Sequence, residues 1–221
     1  EVYAASGVDE AKLFVVPFAV DPALYASQGE TLPDAVCEGS VVLGSVFQWT
    51  ERKNPQALLR AFAGEFRVDE KVTLVLKGYE GDDPTQSVED HVKQILSGVL
   101  HAPVRVISRA LSSVEMLAFY RSIDCYVSAH AGEGFGLPIA ESLLMGKPVV
   151  ATNWSAPVEY AGGCFRGVDY QLTPPKWIAW QPFYTSDQRW ADVDVKDLEA
   201  AQDDVVDLKT KAPVVVKWEW L

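Results

Sequence analysis

"CYVSAHAGEGFGLPIAESLLMGKPVVAT", residues 125 to 152, contains the unit on which the fold turns. "CYVSA" (125–129) is an apolar run of strand length, suited to burial on both faces. "PIAESLLMG" (138–146) has helical spacing, opens on a proline and stops at Gly146, the order of signals a helix carries. "PVVAT" (148–152) is again a strand. Strand, loop, helix and strand in that order make a crossover between parallel strands, and such crossovers are right-handed.

Working outward, the same alternation continues. "VVLGSV" (41–46), "VTLVLK" (72–77) and "VRVIS" (104–108) read as buried strands. Between them, "NPQALLRAFAGEF" (54–66), "PTQSVEDHVKQIL" (84–96) and "SSVEMLAFYRS" (112–122) read as helices, with Asn54 and Ser112 or Ser113 as N-caps. The pattern predicts an α/β fold with a Rossmann-like, doubly wound parallel sheet. Residues 1–25 read as the end of a helix, one strand and a turn, a hinge remnant of something upstream. Residues 26–211 form the main domain, and 212–221, with the strand-like "VVVKWEW" (214–220), a tail that adds a possible strand. Residues 163–191 show no clean period, and "VKDLEAAQDDVVDLK" (195–209) returns to helix.

Composition narrows the function classes. The 221 residues carry 31 acids against 19 bases, a formal net charge of −12, with no long basic run, which disfavours nucleic acid as a partner. The apolar stretch "LFVVPFAV" (13–20) is too short to span a bilayer, and no signal peptide is visible. Three widely spaced cysteines (Cys37, Cys125, Cys164) give neither a disulfide framework nor a zinc signature, which points to a reducing, cytoplasmic setting.

In a parallel sheet of this kind ligands sit on the loops that leave the carboxyl ends of the strands, and "EGFGLPIAE" (133–141) is such a loop. Its amides and the following helix N-terminus suit phosphate. Gly134 and Gly136 allow close backbone approach, and either can take a positive φ. Glycine turns before helices are also ordinary packing features, so the glycines alone decide nothing. There is no early G-x-G-x-x-G and no G-x-x-x-x-G-K-[ST], which argues against dinucleotide and P-loop chemistry. The glutamates add a sharper signal. Glu133 stands in the turn and Glu141 in the first helical turn; each carboxylate can accept hydrogen bonds from vicinal hydroxyls, although Glu141 also reads as a plain helix N-terminal charge. Amides for a diphosphate and carboxylates for hydroxyls together describe a nucleotide sugar.

With these residues in place, the chain resembles the C-terminal, donor-binding domain of retaining GT-B glycosyltransferases of glycosyltransferase family 4, whose signature is two glutamates set as in E-G-F-G-L-P-x-x-E. The similar segments are "SGVDEAKLFVVPFAVDPALY" (6–25), "RKNPQALLRAF" (52–62), "LSSVEMLAFYRSIDCYVS" (111–128), "HAGEGFGLPIAESLLMGKPVVATNWSAPVEY" (130–160) and "RWADVDVKDL" (189–198). The likeness is weakest over 163–188 and after about residue 210. It implies one half of a GT-B fold, in which Glu141 binds the ribose hydroxyls, Glu133 contacts the transferred sugar, and the amides of Phe135, Gly136 and Leu137 reach sugar and diphosphate. It implies that Lys53 neutralises the diphosphate. The family often adds an Arg about five residues earlier, where this chain has Phe47-Gln48, which leaves Arg52 as the possible substitute. Arg109 falls where the family contacts the nucleobase, and it also reads as a surface arginine.

The resemblance further implies no metal and no cofactor beyond the donor itself. It implies an acceptor glycan or other hydroxyl-bearing acceptor, and an N-terminal acceptor domain supplied in cis or in trans. A noncatalytic nucleotide- or sugar-binding module is the alternative. His130 reads as a hydrogen-bonded wall residue, and the pairs Asp82-Asp83 and Asp203-Asp204 as solvated charge. Trp177, Trp180, Trp190, Trp218 and Trp220 read as packing of the C-terminal region more than as sugar platforms.

Overall fold

The computed structural model describes all residues except 1, 15, 17, 18, 27, 80–84, 177–183 and 212–221. The tail, Asp82-Asp83 and Trp177, Trp180, Trp218 and Trp220 therefore lie outside the described residues. Six strands form one parallel sheet: β1 (Val41–Gln48), β2 (Val72–Tyr79), β3 (Val104–Ile107), β4 (Cys125–Ser128), β5 (Val149–Thr152) and β6 (Arg166–Val168), in the order β3-β2-β1-β4-β5-β6. This is the doubly wound α/β arrangement expected of the alternation.

The strand side chains alternate between two apolar layers. Leu43, Leu74, Leu76, Val127 and Val150 face one cluster with α3 (Pro55–Glu65), α4 (Val88–Ile95) and α8 (Val195–Lys211). Val42, Val75, Tyr126, Val149 and Ala151 face the other, with α5 (Ser113–Ser122) and α6 (Leu137–Leu144). Gly44 is required by this second layer, because a Cβ there would lie 2.5 Å from the Ile123 side chain. The helix starts follow local chemistry. Ser112 and Glu115 complete a reciprocal capping box on α5, and Gly146, at φ +68°, ends the turn after α6. Asn54 occupies the cap position of α3 in the left-handed region, φ 52° and ψ 50°, without a side-chain cap bond. Among ordinary residues, asparagine tolerates that conformation best.

Two expectations change. In the N-terminal segment, α1 (Val2–Ala5), a 3₁₀ turn at Glu10–Lys12 and α2 (Pro22–Ala26) are present, but none of the described residues in 13–20 lies in a strand. Phe14 and Val16 are largely exposed there, and a strand without a neighbour to complete its ladder has little to hold it. The stretch without period contains β6 and an antiparallel pair, β7 (Tyr170–Thr173) with β8 (Trp190–Val193). Trp190 packs edge-on against Tyr184 at 4.7 Å, in keeping with its reading as a packing residue. α7 (Ala156–Ala161) joins β5 to β6.

Candidate functional site

The strand order reverses between β1 and β4, so the loops leaving these two strands open the crevice in which α/β sheets bind ligands. After β1 the chain makes one 3₁₀ turn, Glu51–Lys53, before α3. After β4 it runs through Ala129–Gly136 into α6. Backbone bonds join the two loops and the outlying hairpin: Ala131 N–H donates to Arg52 O at 2.8 Å, and Ala191 N–H to Ala131 O at 2.9 Å.

This framework brings Lys53, Arg52 and Glu133 together. The Lys53 ammonium donates to Glu133 Oε1, while Arg52 Nη1 donates to Gly132 O at 2.6 Å and lies 3.5 Å from Glu133 Oε2. The Glu133 side chain is only 8% exposed, so its charge is held by two cations rather than by bulk water. One of the three ammonium donors of Lys53 is thereby used and two remain.

Beyond Glu133, Gly136 takes the positive φ, 79°, and caps α6, whereas Gly134 has no positive φ. A Cβ on Gly136 would lie 3.3 Å from both Ile139 and Pro157. The N–H groups of Gly134, Gly136 and Leu137 have no hydrogen-bond partner among the described residues. Phe135 stacks on Tyr160 at 4.7 Å, and Tyr160 donates to Gly136 O at 3.2 Å.

Glu141 occupies the second turn of α6, not the first, because the helix begins at Leu137. Its role as a plain N-terminal charge therefore weakens, since the dipole effect fades beyond the first turn. Tyr25, from α2, donates to Oε1 at 2.8 Å, and Tyr120, from α5, donates to Oε2 at 2.5 Å. Burial, reinforced by Glu141, pushes the Tyr25 phenol up to about 12, and burial pushes Tyr120 well above its usual range. Both stay neutral donors near pH 7. A carboxylate offers about four acceptor positions, so roughly two remain for another pair of hydroxyls. Neither tyrosine stood out in the sequence, because Tyr120 falls on a helix that reads as core and Tyr25 lies 116 residues from Glu141.

Arg109 is engaged elsewhere. Its guanidinium reaches Asp34 at 2.8 and 3.0 Å and Glu115 at 2.6 Å, tying the segment before β1 to the cap of α5. His130 is fully buried, with Nδ1 3.1 Å from Ser128 Oγ and Nε2 3.1 Å from the Trp154 carbonyl. Burial lowers its pKa, which suits a wall residue. Among the described residues no three His, Cys, Asp or Glu side chains are placed to hold a metal ion. No helix among them is long and apolar enough to cross a membrane.

Fold and site together define a class: a doubly wound α/β unit whose switch-point loops present cations, loop amides and a hydroxyl-accepting carboxylate. Residues 39–175 match the family Glycosyl transferases group 1, and the chain belongs to that family. A segment of 119 residues, 52% of this chain, is 33% identical to alpha-monoglucosyldiacylglycerol synthase of Streptococcus pneumoniae and covers 24% of it. Among solved structures, Anabaena HepE in complex with UDP and glucose matches over 95% of this chain and 52% of that one, with a TM-score of 0.63 at 20% identity. A glycosyltransferase from Rickettsia africae matches over 92% of this chain and 49% of that one, with a TM-score of 0.64 at 18% identity. These two likenesses establish the fold. The chain thus spans about a quarter of the synthase and about half of each solved structure.

Proposed function

We propose that this chain is the donor-binding half of a retaining glycosyltransferase, which moves a sugar from a nucleoside diphosphate to an acceptor hydroxyl with the anomeric configuration kept. The observation that carries this reading is the convergence of Lys53, Arg52 and Glu133 beside the amides of Gly134, Gly136 and Leu137 at the switch point. Lys53 and Arg52, with these amides and that of Phe135, would offset the charge that develops on the departing diphosphate. Glu133 would meet the transferred sugar, and the two open acceptor positions of Glu141 would take the ribose diol. Arg109 would border the nucleobase.

The reaction in this proposal needs no metal. The acceptor is a glycan or another hydroxyl-bearing molecule, held by an N-terminal domain in cis or in trans. Three cysteines outside any disulfide, two of them buried, support a cytoplasmic setting. HepE, crystallised with UDP and glucose, makes a uridine donor the first to test.

Calorimetry on the chain with UDP, UDP-glucose and GDP-mannose tests donor binding. The expected dissociation constant for at least one is micromolar to millimolar, about 4 to 8 kcal/mol, and no heat from any of them would count against the reading. Joining the proposed N-terminal acceptor domain and following the product by NMR separates enzyme from binding module. Transfer with retention is expected; an inverted anomeric centre refutes the retaining assignment, and binding without any transfer favours the module.

A further inference from the structure

Among the described residues only two besides glycine have a positive φ, and both stand at the crevice. Asn54 closes the loop that carries Lys53 in a conformation asparagine tolerates. Ser155 is different: at φ 71° and ψ −160° it occupies a region that belongs almost wholly to glycine, because a Cβ there crowds the neighbouring backbone.

The surrounding structure holds this turn from several sides. Asn153 N–H donates to Val168 O at 3.0 Å, Trp154 N–H to Thr152 O at 2.8 Å, and Val158 N–H to Ser155 O at 3.2 Å. The imidazole of His130 meets the Trp154 carbonyl at 3.1 Å. The strained turn places the serine hydroxyl between the two main-chain polar groups of Glu133. Ser155 Oγ donates to Glu133 O at 2.6 Å and accepts from Glu133 N–H at 3.3 Å. Among the described residues these are the only hydrogen bonds made by the Glu133 main chain.

Glycine would make this turn without strain, so the turn alone does not call for serine. What serine adds is the hydroxyl, and the hydroxyl acts on one residue. We propose that Ser155 is a positioning residue for Glu133: it fixes the peptide from which the carboxylate projects, and so sets how that carboxylate meets the sugar of a bound donor. The proposal rests on the donor-site reading above. It predicts that the sugar-dependent part of binding follows the hydroxyl at position 155, while fold stability follows the backbone strain.

Ser155→Gly and Ser155→Ala separate the two effects, since both remove the hydroxyl but only glycine relieves the strain. In the 221-residue chain, UDP and UDP-glucose affinities are measured by calorimetry and stability by urea unfolding. The glycine variant is expected to be the more stable of the two. Both variants are expected to bind UDP within about twofold of the parent yet lose roughly 3- to 10-fold of the extra affinity for UDP-glucose, the scale of one hydrogen bond. If the parent distinguishes the two ligands and the folded glycine variant distinguishes them equally well, Ser155 only shapes a turn and the proposal is overturned. If the parent binds neither ligand, the donor reading falls and takes this proposal with it.

Discussion

The ammonium of Lys53, in the loop after the first strand, is hydrogen-bonded to the carboxylate of Glu133, 80 residues later, in the loop after the fourth. The pair spans the mouth of the crevice, with side chains 16% and 8% exposed. The cation expected to meet a diphosphate is thus held in place by the acid expected to meet the sugar. One contact sets the position of both charges.

That contact should be visible in stability. Lys53→Met and Glu133→Gln should each destabilise the protein, and the double variant should lose less than the sum, with a coupling of about 1 to 3 kcal/mol by urea unfolding. Strict additivity would show that Arg52, at 3.5 Å, carries the carboxylate instead.

Glu141→Ala leaves the buried hydroxyl of Tyr120 without its partner, at a cost of about 1 to 3 kcal/mol. Adding Tyr120→Phe removes the orphaned group, so the double variant should regain part of that stability. No recovery would mean that Tyr120 finds another acceptor.

The two glutamates should separate by ligand. Glu141→Ala should weaken UDP and UDP-glucose together, each lost charge-assisted bond being worth roughly 1.5 to 3 kcal/mol. Glu133→Ala should weaken UDP-glucose alone and leave UDP binding intact, since Lys53 is released to the diphosphate. Calorimetry with both ligands decides; equal losses in both variants would show the roles misassigned.

His130 should make the fold sensitive to mild acid. Burial lowers its folded pKa, the carboxylate of Glu133 opposes that shift, and Lys53 and Arg52 reinforce it. Above about pH 6.5, the ordinary histidine value, both folded and unfolded forms are neutral and His130 adds no pH dependence. As pH falls below that value the unfolded chain gains a proton that the folded one resists, so stability drops toward the depressed folded pKa. The loss in urea midpoint between pH 7.5 and 5.5 should be smaller in His130→Asn than in the parent, and an equal loss would assign the sensitivity to other groups.

In the proposed transferase, assembled with an N-terminal acceptor domain, Lys53→Ala should lower turnover by about a hundredfold or more, the scale of one lost transition-state charge contact. Steady-state rates under saturating donor check this. A change confined to KM would reduce Lys53 to a binding group.

Much of the architecture is legible in the sequence. The Val-rich strands, Gly146 and the Ser112–Glu115 cap are signals read over a turn or two of chain and stand where expected, while Pro138 falls second in α6, one place later than its reading as the first helical residue. That Lys53 and Glu133 serve one site followed from the family likeness alone; that their loops leave neighbouring strand ends comes from the strand order. The β7–β8 pair was not legible, because short antiparallel strands of only four residues each leave too little alternation to register.

Partner choice was the other unreadable part. No local pattern says that Arg109 goes to Asp34 and Glu115, that Tyr25 and Tyr120 share Glu141, or that Ser155 grips the main chain of Glu133. Helix and strand formation depends on side chains a few residues apart, so the order of residues suffices for it. Which hydroxyl meets which carboxylate depends on the crossing of β4 to the far side of β1, which brings together loops 80 residues apart and leaves each buried polar group only the partners that packing delivers.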